Sequence, residues 1–584
     1  MDLAKAIDGI VATRGQQPDG ERLHGLFDLH WRYTMQESPE FATYAGWPGH
    51  NHRWTDMSLA AVERRNRELE LPVQAIASID RAGLAPADQL HYDLFRRNAE
   101  EALEGRRFKG ELLPISQMQG PQQDVARFLM IAASGATGLA DFEDMLARLE
   151  AIPALLEQTA ELMRQGAAAG LTPPRVTLRD VPAQILSQAP DDTAQSPLLA
   201  AFARLPETLA EADRARLQRE ATRLVAAKAA PAFRALHAFF VDDYLPRTRE
   251  TVALRDVPDG AAWYAFLARQ STTTALTPEE IHHIGLDEVK RIRGLMDEVI
   301  AGSGFDGGFQ AFVEFLRTDD RFFFTRAEDL LAAYRDITKR ADPELVRLFG
   351  TLPRLPYGVR PVPAYAEKSQ TTAYYEPGSP EAGRPGFFYA NTYDLRARPR
   401  WEMEPLALHE AVPGHHLQIA LAQELPEMPH FRKHGFYTAY IEGWGLYAES
   451  LGGEMGFYQD PYARFGQLTY EVWRAIRLVV DTGMHWLGWS RQQAIDYFKD
   501  NSGKAEHDII VEVDRYIVWP GQALAYKIGE MKIKELRARA ARAQGPGFDL
   551  RAFHDVVLGA GALPLDVLEE RVAAWTAARP QRPR

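Results

Sequence analysis

The sequence predicts a mainly α-helical protein with a large buried core. Long segments place apolar residues at three- and four-residue steps, the spacing of one helix face. Helix-start signals precede several of them, and strand signals are confined to one region. Hydrophobic residues make up 46% and charged residues 25% of the 584 positions, a mix that supports a packed core and excludes disorder as the main state.

Taken in chain order, Met1 to Asp8 lacks an apolar signal-peptide core, so a cytoplasmic location is expected. Phe128–Ala140 is the most apolar stretch. It is broken by Ser134, Gly135 and Gly138 and falls short of the ~18 residues a membrane span needs. Upstream of about residue 265 the chain is rich in Ala, Arg, Leu and Glu; downstream, aromatics, His and Gly become denser. This shift predicts an N-terminal helical lobe over 1–265 and a C-terminal catalytic lobe over 266–584.

A helix is predicted along Ile281, Ile284, Val289, Ile292, Leu295, Met296 and Val299. Thr277, Pro278 and Glu280 form a capping box at its start. Gly302, Gly304 and Gly307 follow it. They spell a dinucleotide-binding pattern but succeed a helix rather than a strand, so they read as a helix end and loop. His282 and His283, about 100° apart on that helix, are expected on a solvated face. Thr325 with Glu328, and Ser490 with Gln493, repeat the capping signal. Ala373–Tyr375 and Phe387–Thr392 flank a Pro/Gly-rich connection and predict a β-hairpin. Residues 579–584 read as a frayed tail.

Lys plus Arg number 67 and Asp plus Glu 80, a net charge of −13. With no basic tract, neither nucleic acid nor an anionic membrane is an expected partner; a monomer or homodimer is. Cysteine is absent, which excludes disulfides, thiolate nucleophiles and Cys-ligated metals. Any metal must be held by His, Asp or Glu.

The chemistry concentrates after residue 400. His409-Glu410, followed by His415 and His416, is similar to the H-E-x-x-H helix of zinc peptidases, in which two His bind the metal and the Glu works on water. The spacing is longer here. On a regular helix i+6 faces away, and i+7 lies ~10 Å along the axis. The helix must therefore break, and Pro413 and Gly414 sit where it would. Either His415 or His416 can then be the second ligand.

Glu442-Gly443-Trp444-Gly445-Leu446-Tyr447-Ala448-Glu449 resembles the E-G-F-x-x-Y-x-E helix of alanyl-type aminopeptidases. That resemblance implies Glu442 as third ligand and Glu449 as a group orienting a ligating His. Near the C-terminus, Arg515-Tyr516 resembles an Arg-Tyr pair of angiotensin-converting enzyme. It implies Tyr516 as oxyanion donor, with Lys504, His507 and Tyr526 as further contacts to substrate.

Together with Val480-Asp481-Thr482-Gly483-Met484-His485 and the run from Arg515 to Gly529, these segments resemble the domain of unknown function 885 family. That family is grouped with helical zinc peptidases such as angiotensin-converting enzyme, neurolysin and the thermostable carboxypeptidases. The resemblance implies two helical halves across a deep cleft and a Zn²⁺-dependent peptidase of the glutamate-ligand class acting on short peptides. Glu410 is its expected general base and His485 a further supporting residue. The strand holding Tyr389 and Asn391 is expected to pair with extended substrate. Lys504, Arg515, Lys527 or Arg477 is expected to meet a terminal carboxylate. His/carboxylate sites also accept Mn²⁺ or Co²⁺. The alternatives are a zinc hydrolase of another amide or ester, and a non-catalytic helical peptide-binding protein.

Overall fold

The computed structural model describes residues 1–363, 367, 371–380, 383–426 and 428–578. It is mainly helical, with one three-stranded sheet among the described residues. The tail at 579–584 lies outside the described residues. The helices named below are labelled α1 to α8 in chain order.

Two compact units form. The first comprises Met1–Val252, Asp256–Gly260 and Pro429–His434. Its core is built on α1 (Leu139–Ala168), which buries Phe142, Leu149, Ile152 and Met163. The helical run Glu211–Arg247 is long and apolar enough to cross a membrane by length and composition. Here Leu217, Leu224, Phe233, Phe240 and Tyr244 of that run are buried in the same core. The Pro429–His434 segment joins this unit through Phe431, whose ring lies 4.8 Å from Phe27, and through His430 and His434, which stack on Trp31.

The second unit comprises Ala253–Arg255, Ala261–Met428 and Gly435–Arg584. It contains α2 (Pro278–Gly302), α3 (Met403–Glu410), α4 (His415–Gln423), α5 (Thr438–Leu451), α6 (Pro461–Thr482), α7 (Glu506–Val518) and α8 (Ala525–Gln544). The capping boxes at Thr277 and Ser490 form as read. The one at Thr325 does not: that helix begins at Ala327, with Arg326 in the capping position. Gly304 adopts a positive φ of 74° just past α2, so the glycine triplet is a helix end. His282 departs from its expected solvated place. It is buried and hydrogen-bonds Thr482 Oγ1 at 2.8 Å, while His283 stays exposed.

α5 and α8 cross at glycines. A Cβ on Gly443 would lie 2.5 Å from the Gly529 backbone, and one on Gly529 would lie 1.9 Å from the Ala439 carbonyl oxygen. Small residues at both positions let the two backbones touch. The first belongs to the Glu442–Glu449 segment and the second to the run after Arg515, so one crossing links two of the sequence motifs.

The sheet comprises β1 (Tyr357–Pro361), β2 (Ala373–Glu376) and β3 (Gly386–Ala390) in the order β1-β3-β2. β2 and β3 form the expected hairpin, with Tyr374 opposite Tyr389; β1 adds in parallel, with Val359 opposite Phe388. This corrects the reading of Tyr389 and Asn391. β3 is the central strand, so both of its hydrogen-bonding edges are taken and none is left for a substrate strand. Tyr389 stacks on Tyr374 at 5.0 Å, and the Asn391 amide donates to the carbonyls of Glu367 and Thr371.

Gly529→Ala is expected to lower stability by about 1–3 kcal/mol through overpacking. It should appear as a lower melting temperature by calorimetry. Gly453→Ala has nothing within 4 Å of the new methyl group and should leave the melting temperature in place.

Candidate metal centre

α3 ends at Glu410 and α4 begins at His415. Between them the chain leaves helical geometry at Ala411 and Gly414, which have ψ values of −112° and −129°. A Cβ on Gly414 would lie 1.9 Å from the His409 carbonyl oxygen, so the chain folds back there more tightly than any other residue allows. The break brings the His415 ring against that of His409, with centroids 4.6 Å apart and planes at 89°.

The His409 and His415 Nε2 atoms each lie 3.5 Å from Glu442 Oε2. Groups ~2.0–2.1 Å from a common tetrahedral zinc sit roughly 3.3 Å apart, so these spacings suit one ion. The three donor atoms all lie within 4.8 Å of one another. Glu442 and Glu449 stand two turns apart on one face of α5, and the His409 imidazole lies along that face between them. Its Nδ1–H donates to Glu449 Oε1 at 2.7 Å, which directs Nε2 to Glu442. Beneath the ring is Gly445: a Cβ there would lie 2.7 Å from His409 Cε1. Glu449 is fully buried and also lies 3.6 Å from Arg474 of α6.

Charges in the cluster are strongly coupled. Burial opposes ionisation of Glu442, but hydrogen bonds from His409 and His415 outweigh it and hold the carboxyl well below its usual range. Burial pulls His409 down, and the hydrogen bonds to Glu442 and Glu449 outweigh it, raising the pKa to about 10. Two imidazoles and a carboxylate gathered under cover, with one imidazole fixed from behind, are a donor set that fits a divalent ion. Glu410 adjoins His409 at the end of α3. It is half-buried, and its carboxylate has no hydrogen-bonding partner among the described residues.

His416 does not join this group. Its Nδ1 meets the Tyr375 hydroxyl at 2.9 Å and its ring packs 4.5 Å from Tyr357; burial lowers its pKa to about 4. The paired histidines therefore divide, His415 facing His409 and His416 tying α4 to the sheet.

Several other expected site residues are engaged elsewhere. Tyr516 is fully buried, its hydroxyl donating to Glu512 Oε2 at 2.6 Å while accepting from Trp473 Nε1 and Arg477 Nε. Its single proton is thereby committed, and it is not placed as a free oxyanion donor. His485 bridges the Leu254 N–H and the Tyr516 carbonyl at 3.0 Å each, so it supports α7 rather than a metal ligand. Asp481 of the same segment accepts from Tyr264 at 2.6 Å and from the Gly521 N–H at 3.0 Å. Lys504 is paired with Glu402 at 2.6 Å, and Lys527 is enclosed by Glu288, Glu471 and Glu530. His507 is exposed in the first turn of α7. Arg515 bonds Gln522 and the Tyr526 hydroxyl.

Arg474 and Gly445 were missed. Their signals were present: Arg474 and Arg477 interrupt an otherwise apolar run through Ala475, Ile476, Leu478, Val479 and Val480, and Gly445 stands between the two glutamates.

A family model described as "Bacterial protein of unknown function (DUF885)" matches residues 39–572, and the chain belongs to that family. No curated protein matches it. A crystal structure of a "putative lipoprotein" from Colwellia psychrerythraea is similar at 28% identity and a TM-score of 0.89, covering 96% of this chain and 100% of that one. A structure of a "putative lipoprotein of unknown function" from Shewanella oneidensis shares the fold at 18% identity and a TM-score of 0.73, covering 94% and 99%.

Gly445→Ala should displace the His409 ring, and Glu449→Gln should weaken its orientation. Each is expected to reduce zinc affinity by about 10–100-fold in competition titrations with a chromogenic chelator. His416→Ala should leave the affinity unchanged.

Proposed function

We propose that this family member is a zinc-dependent hydrolase of peptide bonds, acting on short peptides. The observation that carries the reading is the convergence of His409 Nε2, His415 Nε2 and Glu442 Oε2, with Glu410 next to His409 and without a hydrogen-bonding partner among the described residues. His409, His415 and Glu442 would hold the ion. When bound, a divalent ion supplies a Lewis acid that polarises a carbonyl and makes water acidic near neutral pH.

The chain's own residues do the rest. Glu449 keeps the proton of His409 on Nδ1 and so leaves Nε2 as the donor. Arg474 lies 3.6 Å from Glu449 and pairs with it on the Nδ1 side of His409, away from Nε2. Glu410 accepts a proton from the attacking water and returns it to the leaving amine. Water is consumed across the C–N bond, its hydroxyl going to the acyl carbon and its proton to nitrogen. The same donor set accepts Mn²⁺ or Co²⁺. The two similar structures are called lipoproteins. That name brings an exported location to this chain as a rival to the cytoplasmic one, and cell fractionation decides between them.

Glu410→Gln is the direct test. The variant should retain about one zinc per chain while turnover of a peptide mixture, followed by mass spectrometry, falls by about 10²–10⁴-fold. Wild-type turnover in this variant would remove Glu410 as the base.

A further inference from the structure

Among the described residues the buried cations of the second unit are Arg474, Arg477, Lys504 and Lys527, and Arg477 shares its one carboxylate with a second arginine. Lys527 faces Glu288, Glu471 and Glu530, which the more exposed Arg291 and Lys534 also contact, three charges against three. Lys504 faces Glu402, Arg491 faces Asp514 at 2.6 Å, and Arg474 faces Glu449. Arg477 of α6 and Arg515 of α7 share a single partner, Glu512. Arg477 Nη2 donates to Glu512 Oε2 at 2.9 Å, and Arg515 Nη1 lies 3.6 Å from Oε1.

No other carboxylate among the described residues pairs with either guanidinium. Tyr516 and Tyr526 offer hydroxyls, and burial pushes the Tyr516 phenol upward, so it stays neutral. Asp481 directs its oxygens to the Tyr264 hydroxyl and the Gly521 N–H rather than to either guanidinium. Two nitrogens remain unused. Among the described residues, Arg477 Nη1 is buried without a hydrogen-bonding partner in a residue that is 2% exposed, and Arg515 Nε is likewise unpartnered. An uncompensated buried guanidinium is costly, and its planar fork is shaped for an oxyanion.

We infer that Arg477 and Arg515 recognise a free carboxylate of the substrate, its C-terminal one, which makes the protein a peptidase acting from the C-terminus. This rests on the hydrolase reading above and narrows it. Arg477 is held between Trp473 and Tyr526, whose ring centroids lie 4.9 and 4.3 Å from its guanidinium carbon. Those rings restrict the approach to a flat group such as a carboxylate. Arg515, Trp473, Trp519 and Gln522 are only partly buried and leave the cluster approachable.

α6 links the cluster to the metal centre. Arg474, three positions before Arg477, reaches Glu449, and Trp473 touches both guanidiniums. At ~1.5 Å rise per residue, the two arginines are ~4.5 Å apart along the helix axis. The other three cations expected to meet a carboxylate are reduced by this accounting: Lys504 and Lys527 are neutralised, and Arg515 acts with Arg477.

The test uses one short peptide in three forms: free C-terminal acid, C-terminal amide, and amide with an internal Asp. kcat/KM is measured on the zinc-loaded wild type, Arg515→Met and Arg477→Lys. Binding of the same peptides to Glu410→Gln is measured by calorimetry. Wild type should prefer the free acid over both amides by about tenfold or more, and both variants should lose that preference. Equal rates for acid and amide in wild type overturn the inference while leaving the hydrolase reading intact. So does a preference that survives in both variants, or an internal Asp that serves as well as the free terminus. If no form is hydrolysed, the hydrolase reading fails and calorimetry alone decides: tighter binding of the free acid supports the carboxylate site, and equal binding removes it.

Discussion

The His409 imidazole is held at both nitrogens by a single helix, and the arrangement around the site follows from that constraint. Glu442 and Glu449 of α5 approach Nε2 and Nδ1 from opposite ends of the ring. The ring can lie along the helix only because Gly445 has no side chain to lift it. With His409 fixed in this way, the second imidazole must arrive from its far side. A continuous helix cannot deliver it, and the chain break at 411–414 can.

The supports spread outward from this contact in order of charge. Glu449 would be an unbalanced buried anion without Arg474, and Arg474 is carried by α6, the helix that also holds Glu471, Arg477 and Asp481. Burying so many ionised groups costs stability unless each is paired and hydrogen-bonded. The second unit meets that cost with carboxylate–cation clusters and with the close glycine crossing of α5 on α8, which brings backbone rather than side chain to the interface. The segments around Asp481, His485, Gly521 and Gly529 belong to this framework. They hold α6, α7 and α8 in register and do not face the candidate ligands.

The helical class, the β2–β3 hairpin and the break at Pro413-Gly414 were legible in the sequence, because each depends on local spacing or on residue types with narrow chemistry, whereas the grouping of His409 with Glu442 and Glu449 came from the resemblance of the Glu442–Glu449 segment to a known peptidase helix. β1 was not, since a five-residue strand beginning Tyr-Gly and ending in Pro carries little periodic signal. The choice between His415 and His416 was open because it depends on backbone angles across four residues. The engagement of Lys504 and Lys527 was hidden for another reason: their partners Glu402 and Glu288 lie on other elements, and an ion pair between distant segments leaves no pattern along either one; that of Tyr516 was open to reading, since Glu512 stands one turn before it on α7. His282 was misplaced because its partner, Thr482, is distant in sequence.

His409, His415 and Glu442 are proposed to form one metal site, with His416 outside it. Crystals of the protein soaked in Zn²⁺ and measured on either side of the zinc absorption edge test this directly. One anomalous peak is expected about 2.0–2.2 Å from His409 Nε2, His415 Nε2 and a Glu442 oxygen. A peak coordinated by His416, or no peak at this cluster with zinc in excess, would contradict it.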